Sequence, residues 1–157
     1  MSELAIVGIG NPFRGDDGAG WTVIEKLEKK IHPSIRLMKA RGEISELIDI
    51  LSRFSNIYFI DACKSRDAIG TWRRIDVKSD PLLFDNPQTS THGLSIKEAI
   101  ELAKTRGAFP SKLILYAISG ENYQMSETLS PEVAKAAAEV AEKILTEEDI
   151  TKCMKKV

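Results

Sequence analysis

The sequence is short of net charge, of cysteine and histidine, and of long apolar runs. Its 22 basic and 23 acidic residues leave a formal charge of −1, so no broad field of one sign exists to grip nucleic acid or an anionic membrane. Neither is expected as a partner. No stretch approaches the length needed to span a bilayer. The first apolar run is broken by Asn11-Pro12 and then by charges, unlike a cleavable leader with a basic start and a long apolar core. The two cysteines, Cys63 and Cys153, stand far apart, which argues against a disulfide framework. The expected location is the cytoplasm. The two histidines, His32 and His92, restrict any nucleophile–imidazole pairing to those positions, and no cysteine-protease signature surrounds Cys63. No G-x-x-x-x-G-K-[ST] occurs, which removes the P-loop class.

What is present is a glycine-rich opening. Gly8 to Gly20 reads G-I-G-N-P-F-R-G-D-D-G-A-G, preceded by the apolar run Leu4-Ala5-Ile6-Val7 and followed by Trp21, Ile24, Leu27 and Ile31 at helical spacing. It therefore reads as a strand-to-helix connection whose glycines let the backbone turn sharply and approach a ligand. Gly8-x-Gly10 looks like the start of a dinucleotide fingerprint, but Phe13 stands where the third glycine belongs and the following residues are acidic. Asp16-Asp17 falls where the helix begins, the favoured dipole end for a carboxylate.

The rest of the chain alternates. His32-Pro33 breaks the first helix, Ile35–Ala40 reads as a half-exposed strand, and Ile44, Leu47, Ile48, Leu51 and Phe54 form a helical stripe. Asn56–Asp61 (N-I-Y-F-I-D) is a central strand ending on a carboxylate, the place where open α/β sheets put ligands. Thr71–Val77 reads as another strand. Only about nine residues separate it from its predecessor, fewer than a parallel crossover needs, so it is expected to run antiparallel near an edge. Residues 79–91 form an irregular loop delivering Ser90-Thr91-His92-Gly93 to a helix that buries Ile96, Ala99, Ile100 and Ala103. Leu113–Ile118 is the last apolar strand. Residues 120–130 form a second loop, ending in a helix with Ser130 as cap and Pro131 first. About 146–157 reads as a charged, frayed tail. The expected fold is one domain spanning 1–157, a three-layer α/β/α sandwich with a mostly parallel twisted sheet of about five strands and strand 71–77 antiparallel.

Three separate loops offer metal-ligating chemistry: Asp16 or Asp17, Asp61, and His92. In a doubly wound sheet they would converge at the carboxyl edge. Two carboxylates and an imidazole suit zinc, nickel or iron, with positions left for substrate or water. The same residues would also serve plain structural ends: Asp16 and His92 as helix caps, Asp61 holding a loop amide. Cys63 reads as a small half-buried filler, with thiolate support to a metal as the alternative, and His32 as a structural residue at a helix end. Trp21, Trp72 and the tyrosines read as core.

Taken together, G-I-G-N-P-F-R-G-D-D-G-A-G, the I-D-A at Asp61, S-T-H-G-L at His92 and L-S-P-E-V at 129–133 resemble the maturation endopeptidases of nickel-iron hydrogenases, in the family's order and over nearly the whole chain. Gly70-Thr71 and Glu121 also look like family features, and the Ser-Thr-His form resembles the branch acting on hydrogen-evolving, formate-linked enzymes. The resemblance implies a cytoplasmic protease that removes a short C-terminal extension from a hydrogenase large-subunit precursor after nickel insertion. It implies nickel contacts at Asp17, Asp61 and His92, with Asp16 in a supporting role and the nickel delivered by the substrate. Aspartate at 17 stands where many members carry glutamate. A related protease with another substrate, or a non-catalytic metal-sensing binding protein or chaperone, would fit the same residues.

Overall fold

A computed structural model describes residues 4–80 and 93–155, with the side chains of Gly93 and Leu94 outside that description. His92, and most of the irregular loop 79–91, lie outside the described residues. The strands are β1 (Leu4–Ile9), β2 (Arg36–Ala40), β3 (Asn56–Cys63), β4 (Trp72–Asp76) and β5 (Lys112–Ser119). The α-helices among the described residues are α1 (Ala19–Leu27), α2 (Ile44–Arg53), α3 (Gly93–Thr105), α4 (Pro131–Leu145) and α5 (Glu148–Met154).

The sheet has five strands in the order β2-β1-β3-β5-β4. β1 pairs in parallel with both β2 and β3, and β3 in parallel with β5, while β4 runs antiparallel along β5. β4 is thus the antiparallel edge strand that its short connection requires. The three inner strands are nearly continuous apolar runs because both of their faces are covered.

Period-2 alternation divides the core into two layers. Leu4, Ile6, Tyr58, Ile60, Ala62, Ile114, Tyr116 and Ile118 face α1 and α4, whose Val23, Leu27, Val133, Ala137, Val140 and Ile144 are fully buried. On the other face Ala5, Val7, Ile9, Ile57, Phe59, Leu113 and Leu115 pack on α2 and α3 through Leu47, Leu51, Ile96, Ala99 and Ile100. The sheet is therefore the middle of three layers.

Residues 148–154, expected to fray, form α5 instead. Ile150 is fully buried beneath it. Glu147 anchors its start: Arg74 donates from Nε at 2.6 Å and from Nη2 at 3.1 Å, and the Tyr116 hydroxyl donates to the same carboxylate. Burial by itself would raise the pKa of Glu147, but the bonds from Arg74 and Tyr116 and the charges of Arg74 and Lys112 outweigh it, so the carboxyl sits below its ordinary range. Tyr58 likewise donates to Asp149. The tail's charges looked solvated in sequence because their partners lie on distant strands.

Candidate functional site

Strand order reverses between β1 and β3: the chain leaves β1 for β2 on one side and returns to β3 on the other. A crevice opens at such a point, outside the carboxyl ends of the strands. The connection after β1 supplies its floor. Gly10 has φ 152, and a Cβ there would come within 2.0 Å of the Asp17 carbonyl oxygen, so only glycine lets the chain fold back this tightly. The Gly10 amide donates to Ala40 O at 3.0 Å. Asn11 N–H is shared between the Asp17 carbonyl (3.2 Å) and Asp17 Oδ2 (3.1 Å).

Asp16 and Asp17, expected where the first helix begins, lie in a 3-10 turn, Gly15–Gly18, that runs directly into α1. Both are fully buried. That turn packs against β3, which carries Asp61 two residues before its end, itself only 4% exposed. Asp61 shares strand parity with Ile57 and Phe59, so it belongs to the α2/α3 face. The structure thus brings Asp16, Asp17 and Asp61 to one sheet edge. Among the described residues no three His, Cys, Asp or Glu side chains form a group able to hold a metal ion. Two oxygen donors of the expected set lie at the crevice, and the third, His92, is outside the described residues.

Asp16 holds no helix. Its carboxylate accepts from the amides of Glu121 (2.9 Å) and Asn122 (3.0 Å), from Ser130 N–H (2.7 Å) and from Ser130 Oγ (2.9 Å). Burial pushes its pKa up; the amides of Asn122, Glu121 and Ser130 and the Ser130 hydroxyl push it down further, and the net direction is down. At neutral pH Asp16 is an anion that ties the β1 loop to the β5 loop. Ser130, expected to cap α4, makes no side-chain cap bond and gives its hydroxyl to Asp16. Further backbone bonds run from Gly15 N to Ser126 O (2.8 Å), Ser126 N to Phe13 O (2.9 Å) and Asp16 N to Asn122 O (2.8 Å). The short parallel bridge Arg14↔Ser126 sets Phe13 beside Met125, and these are 50% and 89% exposed. An apolar pair so exposed beside buried acids suits a docking rim.

Cys63 ends β3 half-buried, its thiol pushed up to about 11 by burial and by Asp61. It is a neutral thiol, as a filler role requires. His32 Nδ1 lies 2.8 Å from Ser34 Oγ in an exposed turn, remote in role from the crevice. One neighbour was missed in the sequence: Tyr123, grouped there with the core tyrosines, sets its hydroxyl over Gly120 on the β5 loop, near Asp16 and within the influence of Asp61 and Asp17. The available signal was its place three residues after Gly120, in a segment with no periodicity.

The fold is doubly wound α/β, with buried carboxylates at the switch point where such sheets place their ligands. The chain belongs to the hydrogenase maturation protease family, whose profile matches residues 21–147, and it is a peptide hydrolase of that family. It is 26% identical over 146 residues to the hydrogenase 2 maturation protease of Escherichia coli K12, spanning 91% of this chain and 88% of that one. In fold it is similar to the hydrogenase maturating endopeptidase HybD of E. coli (TM-score 0.78, 24% identity, 91% and 90% of the two chains). It is also similar to another endopeptidase from E. coli (TM-score 0.81, 23% identity, 91% and 90%).

Proposed function

We propose that the chain removes a C-terminal peptide from the precursor of a nickel-iron hydrogenase large subunit after nickel insertion, reading the metal that the precursor carries. The observation that carries this is the burial of Asp17, in the turn after β1, and of Asp61, near the carboxyl end of β3, at the β1/β3 switch point. Two carboxylates held there without bulk water make a hard oxygen pair for a divalent ion, and an imidazole would complete a set suited to nickel. Gly93, the residue after His92, opens α3, whose far end leads into the amino end of β5. That course supports His92 as the third donor.

In this reading the substrate's metal is a handle. Gripped by Asp17, Asp61 and His92, it fixes the adjacent peptide bond against the crevice, which replaces a bimolecular search with a positioned reaction. Asp16 does not touch substrate; it keeps the β1 and β5 loops in register. Phe13 and Met125 on the joined loops would bear on the precursor's apolar surface.

The test is incubation of the purified chain with precursor, nickel-loaded and nickel-free, with the products weighed by mass spectrometry. The expected result is loss of a C-terminal peptide from the loaded precursor alone. A stable complex without cleavage would favour a metal-sensing binding role, and no interaction would point to another substrate. Equal processing of both precursors would remove nickel from the account.

A further inference from the structure

Three tyrosines occur in the chain, and two have their hydroxyls committed: Tyr58 donates to Asp149 and Tyr116 to Glu147. The third, Tyr123, has a hydroxyl shielded from solvent that makes no hydrogen bond among the described residues. Buried polar groups without partners are uncommon in folded proteins and cost stability, so such a group asks for a reason.

Its surroundings supply one. The ring is held on two sides, by the core layer of α1 and α4 and by the Lys64 ammonium 5.3 Å from its centroid. The hydroxyl lies over Gly120, where a Cβ would come within 2.8 Å of the Tyr123 oxygen and 2.9 Å of Asp16 Cβ. Any larger residue at 120 would therefore collide with both the Tyr123 hydroxyl and Asp16. Burial first, then the neighbouring Cys63 and the charges of Asp61, Asp17 and Asp16, drive its pKa upward. The group is a neutral O–H donor in a negative crevice, with its ring fixed and its hydrogen unspent.

We propose that Tyr123 is a further catalytic residue, whose O–H donates a hydrogen bond to the carbonyl oxygen of the scissile peptide. Water adds its oxygen to the carbonyl carbon, and the carbonyl π pair moves onto the oxygen, where charge accumulates opposite the Tyr123 hydroxyl. On collapse that pair re-forms the carbonyl and the C–N bond breaks, its electrons passing to nitrogen. The proton given up by the water ends on the departing nitrogen, so the products are a carboxylic acid and an amine. Tyr123 transfers no proton; it stabilises charge that is larger in the transition state than in the bound substrate.

This inference rests on the peptide-cleaving reading above. Its test is Tyr123→Phe, which keeps the ring and removes only the hydroxyl, assayed on nickel-loaded precursor beside the wild type with kcat, KM and Tm measured for both. The expected result is a kcat lower by about 100-fold, with KM and Tm unchanged or Tm slightly raised by removal of an unsatisfied group. An unchanged kcat would overturn the proposal, as would a change confined to KM. A fall in Tm that tracks the loss of activity would also overturn it, by making the role structural. A wild type that leaves loaded precursor uncut would overturn the functional reading and this proposal with it, whereas a wild type that cuts and a variant that cuts equally well would overturn Tyr123 alone.

Discussion

Ser130 binds Asp16 twice, through its backbone N–H at 2.7 Å and its hydroxyl at 2.9 Å, across a sequence separation of 114 residues. The contact joins the loops that leave β1 and β5, strands with β3 between them. It also decides how the crevice responds to acid and to mutation.

Asp16→Asn exchanges an anion that accepts four hydrogen bonds for an amide whose NH2 would face N–H donors. The expected loss at pH 7 is about 3 kcal/mol. Because the folded-state pKa of Asp16 lies below its unfolded value, the wild-type advantage is fully present above about pH 4 and is lost as pH falls through the lower folded pKa. Urea unfolding at pH 7 and pH 3 checks this. The gap between wild type and variant should narrow at the lower pH, and a constant gap would show that Asp16 is not held as an anion.

Asp17→Asn and Asp61→Asn should each lower cleavage of nickel-loaded precursor by about 100-fold or more while leaving secondary structure intact by circular dichroism. His92→Ala should match them. Affinity for loaded precursor, measured by titration calorimetry, should fall in all three, and affinity for nickel-free precursor should change little. Normal processing by all three variants would refute the assignment.

Phe13 and Met125, paired side by side on the joined loops, should act on binding. Phe13→Ser with Met125→Ser is expected to raise KM about tenfold, equivalent to ~1.4 kcal/mol of contact energy, with kcat and Tm near wild type. Steady-state kinetics at several precursor concentrations separates this from a catalytic defect.

Glu147→Ala removes the acceptor shared by Arg74 and Tyr116. It leaves a buried tyrosine hydroxyl and a part-buried guanidinium unpaired, at an expected cost of about 3 kcal/mol. The site lies at the other end of α4, so residual folded protein should cleave at the wild-type rate. Chemical denaturation and an activity assay on the same sample test both halves, and α5 should become the first segment opened to protease.

Much of the scaffold was legible locally. The runs Leu4–Ile9, Asn56–Cys63 and Lys112–Ser119 are apolar enough to be inner parallel strands, and the short span before Trp72 forbids a crossover. Asp61 could be placed at the ligand edge because strand direction follows from alternation with helices. Asp16 and Asp17, by contrast, are chemically identical neighbours, and nothing in their local spacing assigns one to the crevice and the other to a loop tie.

The sequence by itself determined which residues alternate, where the backbone can bend at Gly10, and which acids end up on one edge, since periodicity and glycine geometry act over a few residues. Tertiary structure alone decided that Ser130 serves Asp16 rather than capping α4, that the charged end folds as α5 on Arg74 and Tyr116, and that Tyr123 sets its hydroxyl, unspent, over Gly120 near Asp16. Those outcomes depend on partners about 30 to 115 residues apart in sequence, or on a loop's course across the sheet edge, and burial is what makes each such partner matter.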